Sequence, residues 1–348
     1  MSEWSNSEPR NLPKVFMLEL TRSCNHHCLY CYNVWKRQGH QQTGRQMSLD
    51  EVKQSISRLK SEVQVESIGI SGGEPLLRRD LPEILSFIRE QGILPVVITN
   101  GTLLTKGKVA ATMPVTYEVT LLSHRPVVHD LLTGRKGSWQ AAINGMLNIK
   151  EAKGTLAIVF VATKLNFMDL YKTAEMALAL GAHVLMYNRM NLGAGNIKNA
   201  DSLLPTSAMI QENLDTLENI GELYGLPIGI SVVLEPCVIE AKEYKNIKMG
   251  WCPLGGDKSY FTIDPEGNVR ICNHSPVILG NILKDSFRDI YYNHPYVIRF
   301  RNTLPKECLS CSHDLKDKCA SGCKAAAEQC YGTLDHVDPF ISFSQVTR

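Results

Sequence analysis

Between Cys31 and Cys237 this 348-residue chain has no cysteine, although it contains 11. No stretch approaches the roughly 20 consecutive apolar residues a membrane span needs. The opening MSEWSNSEPRNLPK has neither an apolar run nor a small-residue cleavage site, so no secretory signal is expected. Excess charge is missing too: 37 Lys+Arg against 35 Asp+Glu leave a net of +2, which is no footprint for nucleic acid. These absences predict a cytoplasmic protein that binds neither membrane nor nucleic acid. In that reducing compartment, cysteines in an odd count serve as metal ligands or catalysts more often than as disulfides.

What is present is an ordinary globular composition, 44% hydrophobic and 21% charged, in a chain long enough for a large core and two domains. Through the cysteine-free middle, apolar runs alternate with amphipathic ones. Strands are expected at VFMLELT (15–21), SIGIS (67–71), PVVIT (95–99), YEVTLL (117–122), LAIVFVAT (156–163) and HVLMYN (183–188). Helices are expected from Ser48, whose Ser-Leu-Asp-Glu51 is a capping box, and over 81–91, 103–112, 138–153, 167–180 and 206–224. Gly92, Gly154 and Gly181 follow three of them as stops. Strand–helix alternation implies parallel pairing. Six units are too few to close an eight-stranded barrel, so the expected fold is α/β, a partial (β/α)6 barrel open on one side. A small cysteine-rich domain with a β-hairpin and short helices follows it.

In parallel barrels chemistry collects on the loops after the strands. Cys24 follows the first strand, Ser71-Gly72-Gly73-Glu74-Pro75 the second, and Thr99-Asn100-Gly101 ends the third. Ser123, Asn166 and the pair Asn188-Arg189 occupy the next three ends. Individually GGEP and TNG are ordinary turns. Their order on successive strand ends of one rim is what carries weight.

CNHHCLYC places three thiols within eight residues, as Cys24-x3-Cys28-x2-Cys31. A structural zinc site wants four ligands, whereas three thiolates can hold three irons of a [4Fe–4S] cube and leave one iron open. This motif resembles the signature of the radical S-adenosylmethionine (SAM) superfamily. Tyr30 stands where that family often has an aromatic. The resemblance implies that Gly72, Gly73 and Glu74 hold the methionine amino group of SAM, where glycines permit close approach and a carboxylate suits an ammonium. It places Thr99 and Asn100 near the ribose, with Ser123 and Asn166 as further candidates there. Arg189 is open between contacting the SAM carboxylate and making a structural ion pair. His26 and His27 read as exposed loop residues. The segment 119–139 resembles the peptide-modifying branch at His129-Asp130, Gly134 and Gly137-Ser138. The aspartate that branch often carries at the end of this strand is absent from Thr120-Leu121-Leu122-Ser123.

The C-terminal cysteines run Cys252-x14-Gly267-x4-Cys272, then Cys308-x2-Cys311-x7-Cys319-x3-Cys323, then Cys330. This resembles the SPASM extension, which carries two auxiliary iron–sulfur clusters. The seven residues between Cys311 and Cys319 exceed that family's commoner five. By resemblance Cys252, Cys272 and Cys323 hold the inner cluster, and Cys308, Cys311, Cys319 and Cys330 the outer one. SYFTIDPEGNVRICNH (259–274) reads as a hairpin turned by Asp264-Pro-Glu-Gly267. Cys237 is left over, with three readings open: fourth ligand of the inner cluster, hydrogen-atom donor, or buried thiol. The charged AKEYKNIK after it reads as a solvated helical face. The resulting division is a tail over 1–13, the barrel over 14–235, the SPASM domain over 236–335 and a tail over 336–348.

The resemblance implies three iron–sulfur clusters, all [4Fe–4S], and SAM cleavage to a 5′-deoxyadenosyl radical that takes hydrogen from a substrate carbon. The leading expectation is modification of a ribosomally made precursor peptide by cross-linking, dehydrogenation or epimerisation, with a flavodoxin or ferredoxin as reductant. About 14 residues precede the first strand, so peptide recognition is expected to be unaided or to use a separate protein. The alternative is a SPASM-type small-molecule oxidoreductase or decarboxylase acting on a sugar, an aminoglycoside or a tetrapyrrole. A sulfatase-maturing role is disfavoured, because that branch has aspartate where this chain has Asn273. A non-catalytic electron carrier would not need the SAM-site motifs.

Overall fold

The computed structural model describes residues 12–37, 44–240, 243–252, 259–314, 319 and 321–344. The expected N-terminal tail falls outside these residues except for Leu12 and Pro13. The strands are β1 (Val15–Glu19), β2 (Ser67–Ser71), β3 (Leu94–Thr99), β4 (Thr116–Thr120), β5 (Thr155–Ala162) and β6 (Val184–Arg189). Then follow β7 (Ile228–Ile230), β8 (Ile247–Lys248), β9 (Tyr260–Ile263), β10 (Asn268–Arg270) and β11 (Ile278–Asn281). All lie in one open sheet of order β11-β10-β9-β1-β2-β3-β4-β5-β6-β7-β8. From β1 to β8 every neighbouring pair is parallel. The six expected strands are all there, with boundaries shifted by a residue or two.

Two parallel strands go beyond the expected six. β7 and β8 have three and two residues, too few for any hydrophobic period to register. β8 also corrects the reading of the charged run as a helical face. Its described part lies against the helix Ser207–Tyr224. There the Lys245 and Asn246 amides donate to Glu218 at 2.9 and 3.0 Å, and Tyr244 donates to Asp215 at 2.9 Å.

Local chemistry explains the helices. Ser48 and Glu51 form the capping box, each satisfying the other's amide. The segment expected as one helix over 167–180 splits into a 3-10 turn, Phe167–Asp169, and the helix Leu170–Ala179. A helix the sequence reading lacked, Pro126–Thr133, starts on proline and ends at Gly134, whose φ is +65°. The core is built from the strands and the helix faces over them, including Phe16, Leu18, Ile70, Val97, Tyr117, Phe160 and Tyr187. Each such side chain contributes roughly 1.5–3 kcal/mol when fully buried.

The expected hairpin forms: Asp264 accepts from the Glu266 and Asn268 amides, and Gly267 has φ +85°. Its strand β9 pairs in parallel with β1, so the cysteine-rich part continues the barrel sheet. The expected C-terminal tail is described as far as residue 344. Asp338 and Phe340 within it are fully buried, and Pro339–Ser344 is helical. Among the described residues no helix is long and apolar enough to cross a membrane.

Candidate active site

The loop carrying Cys24, Cys28 and Cys31 leaves β1 and is gripped from several sides. The amides of Gly73 and Glu74 donate to Thr21 O and Ser23 O at 2.7 and 2.8 Å. This approach requires glycine twice. A Cβ on Gly72, at φ +127°, would lie 2.4 Å from Thr21 O, and one on Gly73 would lie 2.0 Å from Ser23 O. On the other side the amides of His27 and Leu29 donate to Thr133 O and Leu132 O at 3.0 and 2.9 Å. Asn33 donates to Gly72 O, Asn196 to Tyr30 O and Asn199 to Leu29 O. The loop's backbone polar groups are thus paired with the neighbouring βα connections, as a half-buried loop demands.

Glu74 ties the second strand end to the third. Its carboxylate is buried and accepts from the Leu76 amide at 3.1 Å, the Thr99 hydroxyl at 2.7 Å and the Asn100 amide at 2.9 Å. Burial raises its pKa against these donors. Asn100 in turn donates to Asn25 at 2.8 Å, and Asn25 donates to Thr102 at 2.9 Å. The glycine–glycine–glutamate loop, the Thr99-Asn100 end and the cysteine loop therefore form one network. An ionised carboxylate has about four acceptor positions, and three donors leave it one.

None of the eleven cysteines forms a disulfide. Tyr30 sits against the first set: burial raises its phenol well above the usual range, and so do Cys28, to which it hydrogen-bonds, Cys31 and Cys24. His26 departs from its expected exposure and is 1% exposed, whereas His27 is at the surface. Among the described residues no three His, Cys, Asp or Glu side chains gather closely enough for a single metal ion.

Three candidates for SAM contacts are engaged elsewhere. Ser123 is buried, donates to Asp169 at 2.6 Å and accepts from the Arg125 amide at 2.9 Å. Asn166 accepts twice from Thr163 and donates to Leu122 O and Val161 O, closing its own loop. Arg189 makes a buried ion-pair cluster. It is fully buried between Glu235 at 3.1 Å and Asp338 at 2.7 Å, with its guanidinium 4.4 Å from the Phe340 ring centroid.

The C-terminal thiols fall into two neighbourhoods. Burial lifts Cys272 to about 12, with Cys252 adding to the effect. Cys323 is raised by burial, Asp338, Cys252 and Cys272. Tyr260 is half-buried beside Cys272, Cys252 and Cys323. These are the three thiols expected for the inner cluster. In the second neighbourhood Cys308 is raised to about 11 by burial, Cys237 and Cys311, and Cys319 to about 12 by burial, Glu235 and Cys237. Cys237, whose three readings the sequence left open, is exposed and lies beside Cys308, Cys311 and Cys319. Cys330 lies half-buried on the helix Lys324–Tyr331.

Tyr32 links the first set to the inner one and went unnoticed in the sequence. Its hydroxyl accepts from Asn273 at 2.7 Å, and its ring lies 4.8 Å from that of His274. Burial, Cys31, Glu19 and Cys272 hold its phenol above the usual range. The one available signal was an aromatic immediately after the third cysteine. Beneath it Glu19 and Arg270 form a buried ion pair between β1 and β10.

Family models match two parts of the chain: the Radical SAM superfamily over residues 18–177 and the SPASM iron–sulfur cluster-binding domain over 252–313. The PqqA peptide cyclase of Rhodopseudomonas palustris is 27% identical across 98% of this chain and 89% of its own. Streptococcus suis SuiB, solved with its precursor peptide SuiA, shares the fold with a TM-score of 0.76 and 17% identity over 97% of this chain and 76% of that one. Native anSMEcpe, solved with AdoMet and a Cp18Cys peptide, gives 0.72 and 17% over 95% and 94%.

Proposed function

Because the chain belongs to the radical SAM superfamily and carries a SPASM iron–sulfur domain, we propose that it modifies a precursor peptide by radical chemistry started on S-adenosylmethionine. Its cofactors are SAM and iron–sulfur clusters. When bound, they supply a reductively generated adenosyl radical able to take hydrogen from an unactivated carbon. The observation that carries the peptide reading is the relation to a peptide cyclase along nearly the whole chain.

The chain's own residues supply position and shelter. Cys24, Cys28 and Cys31 would hold the SAM-binding cluster, on a loop whose backbone is pinned by Gly73, Glu74, Leu132 and Thr133. The acceptor position left on Glu74 suits the methionine ammonium, while Thr99 and Asn100 keep that carboxylate oriented. Cys252, Cys272 and Cys323 would hold the inner auxiliary cluster, and Cys308, Cys311 and Cys319 the outer one, with Cys237 or Cys330 completing it. The thiols that burial raises give up their protons when metal binds. A low-potential flavodoxin or ferredoxin is the reductant this chemistry requires. Recognition of the peptide falls to this chain or to a separate protein.

Anaerobic reconstitution, reduction and incubation with SAM test the first step: deoxyadenosine forms, and Cys24→Ala/Cys28→Ala/Cys31→Ala abolishes it. The precursor peptide encoded nearest the enzyme is then added, and mass spectrometry in deuterated buffer reads loss of hydrogen or uptake of deuterium. SAM cleavage that turns over a sugar or tetrapyrrole while leaving the peptide unchanged refutes the substrate assignment.

A further inference from the structure

We infer that His274 supplies a nitrogen ligand to the iron–sulfur cluster held by Cys252, Cys272 and Cys323. This rests on the reading that these three thiolates hold a cluster. A cube bound by three thiolates has a fourth corner, and Cys237, one candidate for it, lies beside Cys308 and Cys319.

His274 follows Cys272 by two residues, and its backbone amide donates to the Cys272 sulfur. The side chain is 4% exposed. Its Nε2 is 2.6 Å from Leu192 O. A carbonyl oxygen only accepts, so Nε2 carries the proton and Nδ1 carries a lone pair. That Nδ1 is buried with no hydrogen-bond partner. Buried polar atoms are nearly always satisfied, and an orphan calls for an explanation. Every other handle on the residue is taken. Gln329 donates to its backbone oxygen, and the Tyr32 ring lies 4.8 Å from the imidazole. An imidazole fixed by donating one N–H to a backbone carbonyl, with the other nitrogen bare, is the arrangement metal-ligating histidines adopt. Imidazole replaces thiolate on iron in known iron–sulfur centres and raises their potential.

The full chain is reconstituted anaerobically without SAM, with its histidines labelled with 15N, and the reduced clusters are studied by pulsed paramagnetic resonance. A strongly coupled nitrogen that changes with the label is expected, and His274→Ala removes it. His274→Cys restores full ligation without the nitrogen and lowers that cluster's midpoint potential. No histidine coupling in fully iron-loaded wild-type protein overturns the inference, as does coupling that survives His274→Ala. The wild-type measurement decides even where a variant fails to fold. The underlying reading fails separately: Cys24→Ala/Cys28→Ala/Cys31→Ala protein that holds no iron has no auxiliary cluster, and the inference falls with it.

Discussion

Arg189 shows how far a single side chain can be redirected by its surroundings. It ends β6, on the rim where cofactor contacts were expected, yet its charge is spent on Glu235 and Asp338. Removing one partner of a fully buried ion pair strands the others and costs roughly 3–5 kcal/mol. Arg189→Met is therefore expected to lower unfolding stability by about that amount, while SAM affinity of the folded fraction holds. A selective loss of SAM affinity at unchanged stability would return Arg189 to the SAM site. His129 is a second case. Its Nδ1 accepts from the Leu122 amide at 3.2 Å, and burial, against the nearby Asp130, pushes its pKa down to about 4. Below the ordinary value of 6.5 the unfolded chain takes up a proton that the folded chain refuses until about pH 4. This group's contribution is thus complete above about 6.5 and is lost as pH falls across that window. Chemical denaturation from pH 7 to 4.5 should show a shallower acid loss in His129→Asn, which keeps an acceptor but does not titrate. Equal slopes would count against a neutral buried His129.

The helix Pro126–Thr133 acts as an element, its last carbonyls taking the amides of the cysteine loop. Two left-handed glycines bracket the turn after it. At Gly134 a Cβ would sit 2.7 Å from His27 O, while at Gly137, with φ +80°, nothing lies within 4 Å. Alanine at either position bears the left-handed strain of roughly 1–2 kcal/mol. Only Gly134→Ala also pushes on the loop that carries Cys24, Cys28 and Cys31. Iron and sulfide assays after reconstitution should show loss from Gly134→Ala but not from Gly137→Ala, at comparable thermal stability cost. Equal iron in the two would mean that the loop yields without consequence.

Over the whole molecule, the β1–β9 pairing makes the cluster-bearing parts share one sheet, while their thiols remain separate sets. Three cubes imply about 12 irons per chain, so Cys24→Ala/Cys28→Ala/Cys31→Ala protein should retain about 8. The shared sheet predicts that it still melts in one transition. Wild-type protein that repeatedly holds about 4 irons would remove the auxiliary clusters from the picture.

The sequence by itself determined what depends on neighbours along the chain. Alternating apolar periods set the parallel units, Ser48 and Glu51 set a helix start, and the spacing of Cys24, Cys28 and Cys31 carried the family resemblance. The placing of motifs at strand ends was equally readable, because a strand and the loop after it are contiguous. Tertiary structure decided what depends on residues meeting from afar. Strands of two and three residues carry no readable period, so β7 and β8 emerged only from the sheet that recruits them. Arg189 and Asp338 are 149 residues apart, and nothing local tells a buried guanidinium which carboxylate will reach it. Ser123 and Asn166 were placed on the right rim but turned to loop closure, since a short polar side chain takes whichever buried partner packing brings within reach. The neighbours of Cys237 and the bridge from Tyr32 to Asn273 and His274 were settled the same way, by which loops the continuous sheet holds face to face.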